Sequence, residues 1–476
     1  MSYIEGTARE QYLLFPEVIN EYITEDNPVR FIDAFVDTLD LEEMGFARCQ
    51  PAATGRPGYD PADLLKLYIY GYQNRVRSSR RLEEESHRNV EVMWLIRKLT
   101  PDFKTIADFR RNNTKAFKAV FRRFSLMCRQ WDLFGGDVVA IDGSKFKAVN
   151  STRRNFTRSK LERMLKEIDE KLAGYLQQLD EADAEEAEPH RLSAEELNQR
   201  IAYLKARRQN RRELLKSIED GDQTQVSLTD PDSRRISRHQ KTEVGYNVQM
   251  AVDDKHHLIV EEDVTNAVTD RDQLSRMAIK AKEALGVDRL KVVADKGYYH
   301  GKEIKACEEA GIEPYVSKPL TSVNTKLGLY GKERFRYNPE KNCYICPQGE
   351  ELTYRFQSVE KDRPIGYYVC AVCGNCPVKP RCTRNQQGRK IIRWVEEEVL
   401  DRMHLRVSAN PELMNKRKAI VEHPFGTIKF WNNQGGFLMK GLRKVSAEMS
   451  LSALAYNIKR VMNIMGIPDM VKALSL

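Results

Sequence analysis

Two apolar runs that each end on an aspartate constrain this chain more than any other feature. DVVAIDGSKFKAVN begins at Asp137 and reaches Asp142 through an unbroken apolar run, and KVVADKGY reaches Asp295 in the same way. Both runs are predicted to be buried strands that end on their aspartates, because short apolar runs bounded by turn residues are typical of central strands. In α/β folds, ligands bind where strand ends open into a crevice. The two aspartates therefore predict a shared site at one edge of a sheet.

A third carboxylate, Glu422, lies on a helical pattern among basic residues in KRKAIVEHPFGTIK. Three carboxylates brought together repel one another and resist ionisation unless divalent cations neutralise them. Two hard cations held by such oxygens support phosphoryl transfer, because they stabilise both the attacking and the leaving oxygen. An aspartate followed by glycine is also an ordinary turn signal. Spacing alone therefore leaves a turn role for Asp142 open.

The order of helical and strand-like patterns predicts the domain organisation. Residues 1–132 are predicted to be an all-α domain, and residues 133–464 an α/β domain with a mixed sheet, since three consecutive strands precede an alternation of helices and strands. Residues 155–222 are predicted to be a helical-hairpin insertion, whose charges are interpreted as a solvated face. Residues 320–398 form a cysteine-rich insertion, and residues 465–476 a C-terminal tail.

A basic turn between two helical patterns of the N-terminal region is a candidate DNA-binding element. It carries Arg75, Arg77, Arg80 and Arg81 within QNRVRSSRRLEEESHRN. Two short helices joined by such a turn suit a helix-turn-helix. The alternative is a small helical bundle with a solvated basic turn.

Overall charge and hydropathy limit the class of protein. The chain has 78 Lys+Arg against 69 Asp+Glu, a net charge of +9, which suits a polyanionic partner, although a merely basic surface explains it equally well. No apolar run reaches the length of a membrane span, and the N-terminus lacks the pattern of a secretion signal. A cytoplasmic protein without a membrane partner is expected.

Six of the nine cysteines fall in one short segment, in NCYICPQG and YVCAVCGNCPVKPRC: Cys343, Cys346, Cys370, Cys373, Cys376 and Cys382. Paired Cys-x-x-Cys motifs followed by Gly or Pro are a strong signal for a structural Zn²⁺ site with four thiolate ligands. The alternative is a group of reduced, partly buried thiols. The spacing leaves open which four bind, and one set that fits is Cys343, Cys346, Cys373 and Cys376.

Several motifs, taken in order, resemble a DDE transposase of a bacterial insertion sequence, most closely the insertion-sequence 1182 group. DPADLLKLYIYGYQNRVRSSRRLEEES and PDFKTIADFRRNN resemble the helical N-terminal domain of these enzymes. LTDPDSRR, GYNVQMAVD and VTNAVTDRDQL match the segment after the first catalytic aspartate, and VVADKGYY matches the second. VEHPFGTIK, FLMKGL and LAYNIKR match the glutamate helix and the segment after it.

The resemblance implies that Asp142, Asp295 and Glu422 form the catalytic triad on a ribonuclease-H-like core and bind two Mg²⁺ or Mn²⁺ ions. It also implies Cys346, Cys373, Cys376 and Cys382 as the zinc ligands. In a related group with a Tyr-Arg-Glu-Lys signature, the three positions around the glutamate correspond here to Asn415, Lys418 and Lys429. Only the lysine is kept, while Arg417 stands one residue before the arginine's position.

The expected function is a DNA transposase that hydrolyses phosphodiesters at the element's ends and transfers the freed strand into target DNA. Pairing two ends implies a homodimer in the active complex with double-stranded DNA. Lys296, Arg417, Lys418 and Lys429 are candidate phosphate contacts near the active site, with solubilising surface charge as the alternative. Two rival functions are a metal-dependent nuclease without strand transfer and a non-catalytic DNA-binding protein derived from such an enzyme.

Overall fold

The computed structural model describes residues 18–50, 57–184, 194–221, 224–238, 241–319, 322–360 and 363–475. Its N-terminal region is a helical bundle, as the sequence predicts. The helices are α1 (Pro28–Asp37), α2 (Pro61–Gln73), α3 (Ser79–Arg88), α4 (Val90–Leu95), α5 (Phe103–Asn112) and α6 (Thr114–Gln130).

Side-chain caps start the first two of these helices. Asn27 Oδ1 accepts a hydrogen bond from the Val29 amide at 3.0 Å, and Asp60 Oδ1 accepts one from the Ala62 amide at 2.8 Å. A proline follows each cap at the first helical position, where its missing N–H costs no hydrogen bond. The bundle core is aromatic, and the rings of Phe35 and Phe124 pack edge to face with centroids 5.5 Å apart. The N-terminal helices are therefore fixed both by local capping and by a dense core.

A mixed sheet forms the centre of the chain. Its part of the sequence contains β1 (Val138–Lys147), β2 (Asn155–Thr157), α7 (Arg158–Ala184), α8 (Ala194–Glu219), β3 (Gln225–Ser227), β4 (Arg234–Arg238), β5 (Lys241–Asp253), β6 (Ile259–Thr265), α9 (Leu274–Leu285), β7 (Leu290–Ala294), α10 (Gly301–Glu309) and β8 (Ile312–Val316). The sheet runs β4-β5-β1-β7-β8, and β6 also pairs with β5. Strand β5 is antiparallel to β1, β4 and β6, whereas β1, β7 and β8 are mutually parallel. The mixed α/β class predicted from the sequence is confirmed.

The sequence pattern predicted that strand β1 ends on Asp142, but the strand continues past it. It continues to Lys147, because β5 remains paired with it from Val139↔Asp253 through Lys147↔Gly245. Strand β7 does end at Ala294, directly before Asp295. The prediction was therefore wrong for the first aspartate, whose strand is extended by a long antiparallel partner, and right for the second.

Helices α7 and α8 form the predicted antiparallel hairpin between β2 and β3. Ile168 and Leu172 of α7 pack with Ile201 and Leu204 of α8. Nearer the sheet, Leu161 and Ile218 pack around Phe156. Of the acidic sequence DEADAEEAEPH that joins the two helical patterns, residues 180–184 belong to the end of α7, and residues 185–190 lie outside the described residues. The hairpin is therefore a rod with its own apolar seam, rooted on the two-stranded β2–β3 ladder.

A second sheet, fully antiparallel, lies within the cysteine-rich region. This region contains α11 (Val323–Lys326), β9 (Arg336–Asn338), β10 (Cys343–Ile345), β11 (Glu351–Glu360), β12 (Arg363–Val369), α12 (Lys379–Cys382) and β13 (Lys390–Trp394). The strand order is β13-β12-β11-β10-β9. Tyr344, Leu352 and Tyr368 are buried in a core separate from that of the main sheet. The region is therefore a small folded unit.

The C-terminal helices tie the bundle to the main sheet. They are α13 (Glu398–Ala409), α14 (Pro411–Gly426), α15 (Leu442–Met465) and α16 (Ile467–Ala473). Helix α14 packs across β1, β5 and β7, and α15 packs against α2, α6 and β6. Helix α16 packs against α1, so the segment expected to be a C-terminal tail contains a helix. None of the helices in the described ranges combines the length and apolarity needed to cross a membrane.

A buried carboxylate joins α15 to the N-terminal bundle. Glu448 is fully buried and accepts hydrogen bonds from the backbone amides of Leu438 and Met439. Arg77 Nη1 lies 3.3 Å from Glu448 Oε1. Burial raises the pKa of Glu448, and the charges of Arg110 and Arg77 oppose that rise. The contact therefore depends on both arginines remaining in place.

Replacing Glu448 by alanine should destabilise the protein by about 3 kcal/mol, because it leaves buried arginine charge without its partner. Urea unfolding followed by circular dichroism measures the change. Glu283→Ala, at an exposed position on α9, is the matched control and should change little. Equal stability of the two variants would contradict this role for Glu448.

Candidate active site

Sheet register brings Asp142 and Asp295 to neighbouring positions. Ile141 pairs with Ala294 across the parallel β1–β7 ladder, and each is followed directly by one of the aspartates. Neighbouring strands lie about 4.8 Å apart. Beyond this pair β7 leaves the sheet, while β1 continues beside β5. The two aspartates therefore follow neighbouring strand positions where the parallel strands separate, and the charge of Asp295 acts on Asp142.

Asp142 is held in a poorly solvated position. Its side chain is 27% exposed, Oδ1 accepts a hydrogen bond from the Gly143 amide at 2.8 Å, and Arg417 Nη1 lies 3.4 Å from Oδ2. Burial raises the pKa of Asp142 to about 6, with the neighbouring charges of Asp295 and Asp270 adding to the rise. The Gly143 amide and the Arg417 guanidinium oppose it. A divalent cation placed here would relieve both the desolvation and the repulsion.

Asp295 begins a short turn instead of continuing a strand. Its Oδ1 accepts a hydrogen bond from the Gly297 amide at 2.7 Å, and the side chain is half-buried. The next residue, Lys296, is exposed. The turn thus fixes one oxygen of Asp295 and leaves the Lys296 ammonium exposed beside the site.

Helix α14 carries Glu422 across the same strands. Arg417 of this helix reaches Asp142, and Lys429, in the π-helical turn that follows, donates to Ser144 Oγ at 2.6 Å and to the Lys145 carbonyl at 2.7 Å. Glu422 lies between these two contacts in sequence, and its side chain is exposed, as is that of Lys418. The helix is therefore anchored to β1 at both ends of the segment that contains Glu422.

The three predicted carboxylates do not form a closed cluster. Among the described residues, the group of three potential ligands within 4.8 Å of one another is Asp272, His300 and Glu303. His300 and Glu303 lie three residues apart at the start of α10, a spacing that sequence reasoning did not single out. The structure places its Nδ1 2.7 Å from an Asp272 carboxylate oxygen. Asp142 and Asp295 are adjacent through strand register, whereas Glu422 is positioned by its helix alone.

Asp270 is a fourth acidic residue at this crevice, and sequence reasoning missed it. Its Oδ1 accepts hydrogen bonds from Asn247 at 2.6 Å, Gln249 at 2.8 Å and Lys145 at 3.2 Å. A Cβ on Gly143 would lie 2.4 Å from Asp270 Oδ1, so a larger residue here would displace the Asp270 side chain. The signal available was VTNAVTDRDQL, which matched the family as a segment without drawing attention to this aspartate.

The arginines of the predicted helix-turn-helix differ in their surroundings. Arg75, Arg80 and Arg81 are exposed, and Arg80 lies over the ring of Phe103. Arg77 instead donates to the Gly436 and Asn433 carbonyls and pairs with Glu448. A DNA contact stays a prediction for all four, but Arg77 already has an internal role that holds the bundle to α15.

The clustered cysteines divide into a group around one cavity and a separate thiol. A cavity of about 240 Å³ is lined by Cys346, Cys370, Cys373, Cys376 and Cys382. Burial raises the pKa of Cys382, and Cys373, Cys346 and Cys376 contribute to that rise. Cys343 is buried on β10, where its pKa is raised by burial and by Glu351. Within the described residues, no three of the sulfurs lie within 4.8 Å of one another.

The backbone around Cys346 forms a tight turn. The Gln348 amide donates to Cys346 Sγ at 3.3 Å, and the Gly349 amide donates to the Cys346 carbonyl at 2.9 Å. Gly388 has φ +97° and approaches Cys373 so closely that a Cβ would lie 2.7 Å from the cysteine's own Cβ. Cys346 and Cys373 are therefore both held in place by tight backbone turns at the cavity.

Two family models match parts of the chain. Residues 17–112 match a model described as Transposase domain (DUF772), and residues 345–462 match one described as Transposase DDE domain. The second match contains Glu422 and the cysteine group. No curated protein matches the chain.

One solved structure is similar to the chain, with low sequence identity and a low TM-score. It is a cryo-EM structure of the piggyBac transposase synaptic complex with hairpin DNA, 10% identical, with a TM-score of 0.31. The alignment covers 94% of this chain and 79% of that one.

The raised pKa of Asp142 predicts a pH-dependent stability. The folded protein holds this proton up to about pH 6, whereas an unfolded aspartate releases it near pH 4. Between these values the native state binds more protons, so stability falls as pH rises. Relative to Asp142→Asn, the wild type should lose about 1 to 3 kcal/mol of unfolding free energy between pH 4 and pH 7.

Urea unfolding in metal-free buffer at several pH values measures this difference. Asp132→Asn, at a side chain that is 94% exposed, is the control. A constant difference between wild type and Asp142→Asn across this range would show that the carboxyl is not perturbed by its surroundings.

Proposed function

We propose that this chain, which is a DDE-type transposase, cuts and joins DNA with Asp142, Asp295 and Glu422 as its catalytic carboxylates. The observation that carries the proposal is the adjacency of Asp142 and Asp295 after the Ile141–Ala294 pair, together with the raised pKa of Asp142. Helix α14, which bears Glu422, packs across the same strands. The middle of β1, the end of β7 and helix α14 would thus supply acidic side chains to one site.

The strand arrangement supports a ribonuclease-H-like core for this proposal. In the order β6-β5-β1-β7-β8, the first three strands are antiparallel, and β7 and β8 run parallel to β1. Helices α9 and α10 form the crossovers before β7 and β8. The helical hairpin then interrupts the core between β1 and β5, and the cysteine-rich unit interrupts it before α14.

The donors in the crevice fit two Mg²⁺ or Mn²⁺ ions, because they are hard carboxylate oxygens with unrelieved repulsion. When bound, such ions supply Lewis-acid chemistry that activates water and stabilises a phosphoryl-transfer transition state. Asp142 and Asp295 would hold them, with Glu422 as a further ligand. Arg417 now partly neutralises Asp142, so metal loading would free its guanidinium for a phosphate.

The proposed reaction has two steps. Water first attacks the phosphodiester at the element's end, and the bond to the 3′ oxygen breaks to free a 3′-hydroxyl. That hydroxyl then attacks a phosphodiester of target DNA and displaces its 3′ oxygen. Lys429, fixed on Ser144, and the exposed Lys296 and Lys418 would bind neighbouring phosphates.

Asp270 is proposed to be a positioning residue that holds the side chains around Asp142 without binding metal itself. It gathers Lys145, Asn247 and Gln249 on a single carboxylate oxygen, and Tyr298 donates in turn to Gln249. Its charge also acts on Asp142. Its loss should release Lys145, Asn247 and Gln249 from their shared hydrogen-bond acceptor without removing a metal ligand.

Mg²⁺-dependent cleavage of DNA carrying the element's flanking ends tests the triad. Asp142→Asn, Asp295→Asn and Glu422→Gln should each retain DNA binding and lose cleavage. Asp270→Asn should lower the rate about 10- to 100-fold, the range for partners that orient metal ligands. Asp137→Asn, ahead of β1, is the control.

Cleavage by the triad variants at the wild-type rate would place the active site elsewhere. A strand-transfer assay on the same DNA separates the rival functions. A transposase joins the freed end to target DNA, a nuclease stops after the first step, and a non-catalytic derivative binds without cutting. Because two ends must be paired, the active complex is proposed to be a homodimer.

A structural Zn²⁺ is proposed at the cysteine cavity, with Cys346, Cys373, Cys376 and Cys382 as ligands. All four line the cavity, and a cation would neutralise the mutual repulsion of their thiolates. Cys343 lies outside that lining, which disfavours the alternative ligand set. Cys370 also lines the cavity and is the remaining competitor for a ligand position.

Metal analysis of the purified protein should find one zinc per chain. Cys376→Ser should lose it, and Cys343→Ser, also a change of one cysteine in the same unit, should keep it. Zinc absent from the wild type, or lost equally in both variants, would overturn the ligand assignment.

A further inference from the structure

A polar cavity at the root of the helical hairpin has no role in the proposed chemistry. It measures about 470 Å³, and its cationic lining consists of Lys160, Arg163 and Arg235. Its other lining residues are threonines and a serine, so the lining supplied by the described part of the chain contains no acidic residue. Hydroxyl groups combined with lysine and arginine are the side chains that contact nucleic-acid phosphates.

The cations of this cavity repel one another. Burial lowers the pKa of Lys160, and the charges of Arg235, Arg211 and Arg163 lower it further. The Lys160 ammonium is engaged by the chain itself, donating to the Asn155 carbonyl at 2.6 Å and to the Thr152 carbonyl at 2.9 Å. Arg235, on β4, is exposed, and the Arg163 side chain is 72% exposed, with its Nε 3.7 Å from Glu167 Oε1 one turn along α7. The two arginines are therefore the groups able to reach a ligand.

Positive charge continues from the cavity along α8. The pKa of Arg211 is lowered by burial and by Arg207, which lies one helical turn earlier. The Lys160 ammonium and the Arg211 guanidinium each lie 4.5 Å from the centroid of the Phe156 ring, so the basic series Arg235, Lys160, Arg211 and Arg207 runs from the cavity onto α8. A free phosphate ion would use the cavity alone, whereas a polyanion would also use the series on the hairpin.

The cavity is within reach of DNA held at the active site. Strand β1 covers roughly 17 Å from Asp142 to its end at Lys147, at about 3.3 Å per residue. Lys147 pairs with Gly245, and Gly245 pairs with Arg234, so the neighbouring Arg235 lies two strands across, roughly 20 Å from Asp142 at about 4.8 Å per strand. At about 3.4 Å per base pair along one DNA strand, this distance corresponds to roughly six base pairs.

We infer that the cavity and the basic series of α8 bind the phosphodiester backbone of DNA beside the active site. The charges of the hairpin are then a binding surface and not the solvated face expected from the sequence. The inference rests on the proposed function, since it takes DNA as the substrate. It adds a site that contacts the backbone without reading sequence.

Salt-dependent DNA binding of Arg163→Gln combined with Arg235→Gln tests this. Each lost phosphate contact lowers the slope of log K against log salt by about 0.9. The slope should therefore fall by about 1 to 2, and affinity at about 100 mM KCl should fall roughly tenfold, on any duplex sequence. Fluorescence anisotropy of a labelled duplex measures both quantities.

Lys166→Gln combined with Lys171→Gln is the control. Both lysines lie on α7 outside the cavity, and the net charge changes equally. A slope for the cavity variant equal to that of the control would overturn the inference. A second result would also overturn it. Inorganic phosphate would stabilise the wild-type protein but not the cavity variant, while the salt slope of DNA binding would be the same for the cavity variant as for the control.

Cleavage by the same preparations keeps the two proposals distinguishable. Wild-type protein that binds DNA but never cuts it contradicts the proposed function and leaves the slope comparison to decide this inference. Protein that cuts DNA while the cavity variant binds like the control contradicts only this inference. Protein that binds no DNA contradicts both.

Discussion

The pairing of Ile141 with Ala294 is the constraint on which the candidate site depends. It places two aspartates side by side at the point where β7 leaves the sheet and β1 continues. Neither residue's backbone can move far from the other without breaking the ladder of buried apolar residues that precedes it. Repulsion is therefore built into the sheet, and it adds to the burial that raises the pKa of Asp142. Because a bound cation relieves this repulsion, the site favours cation binding, and metal-dependent phosphoryl transfer requires bound cations.

The other elements act by holding that junction. Helix α14 is pinned to β1 through Arg417 and Lys429, one contact on either side of Glu422 in sequence. Helix α15 packs on β6 and on the N-terminal bundle, where Glu448 binds Arg77. The bundle is thereby coupled to the main sheet, so its exposed arginines lie in a fixed relation to Asp142 and Asp295.

The sequence could predict the features that depend on local pattern. Apolar runs and helical periodicity indicated the bundle, the hairpin and the mixed sheet. It could not show that β1 passes Asp142, because that extension depends on pairing with β5, about a hundred residues later. Asp270 was missed for the same reason, since only the folded chain brings it beside Gly143. The separation of Cys343 from the other cysteines likewise results from its place on β10.

Anomalous diffraction from crystals grown with Mn²⁺ and a DNA end tests the central claim most directly. The account predicts Mn²⁺ bound between the carboxylates of Asp142 and Asp295, with Glu422 as a further ligand. Mn²⁺ found only at Asp272, His300 and Glu303, with none at Asp142, would contradict it.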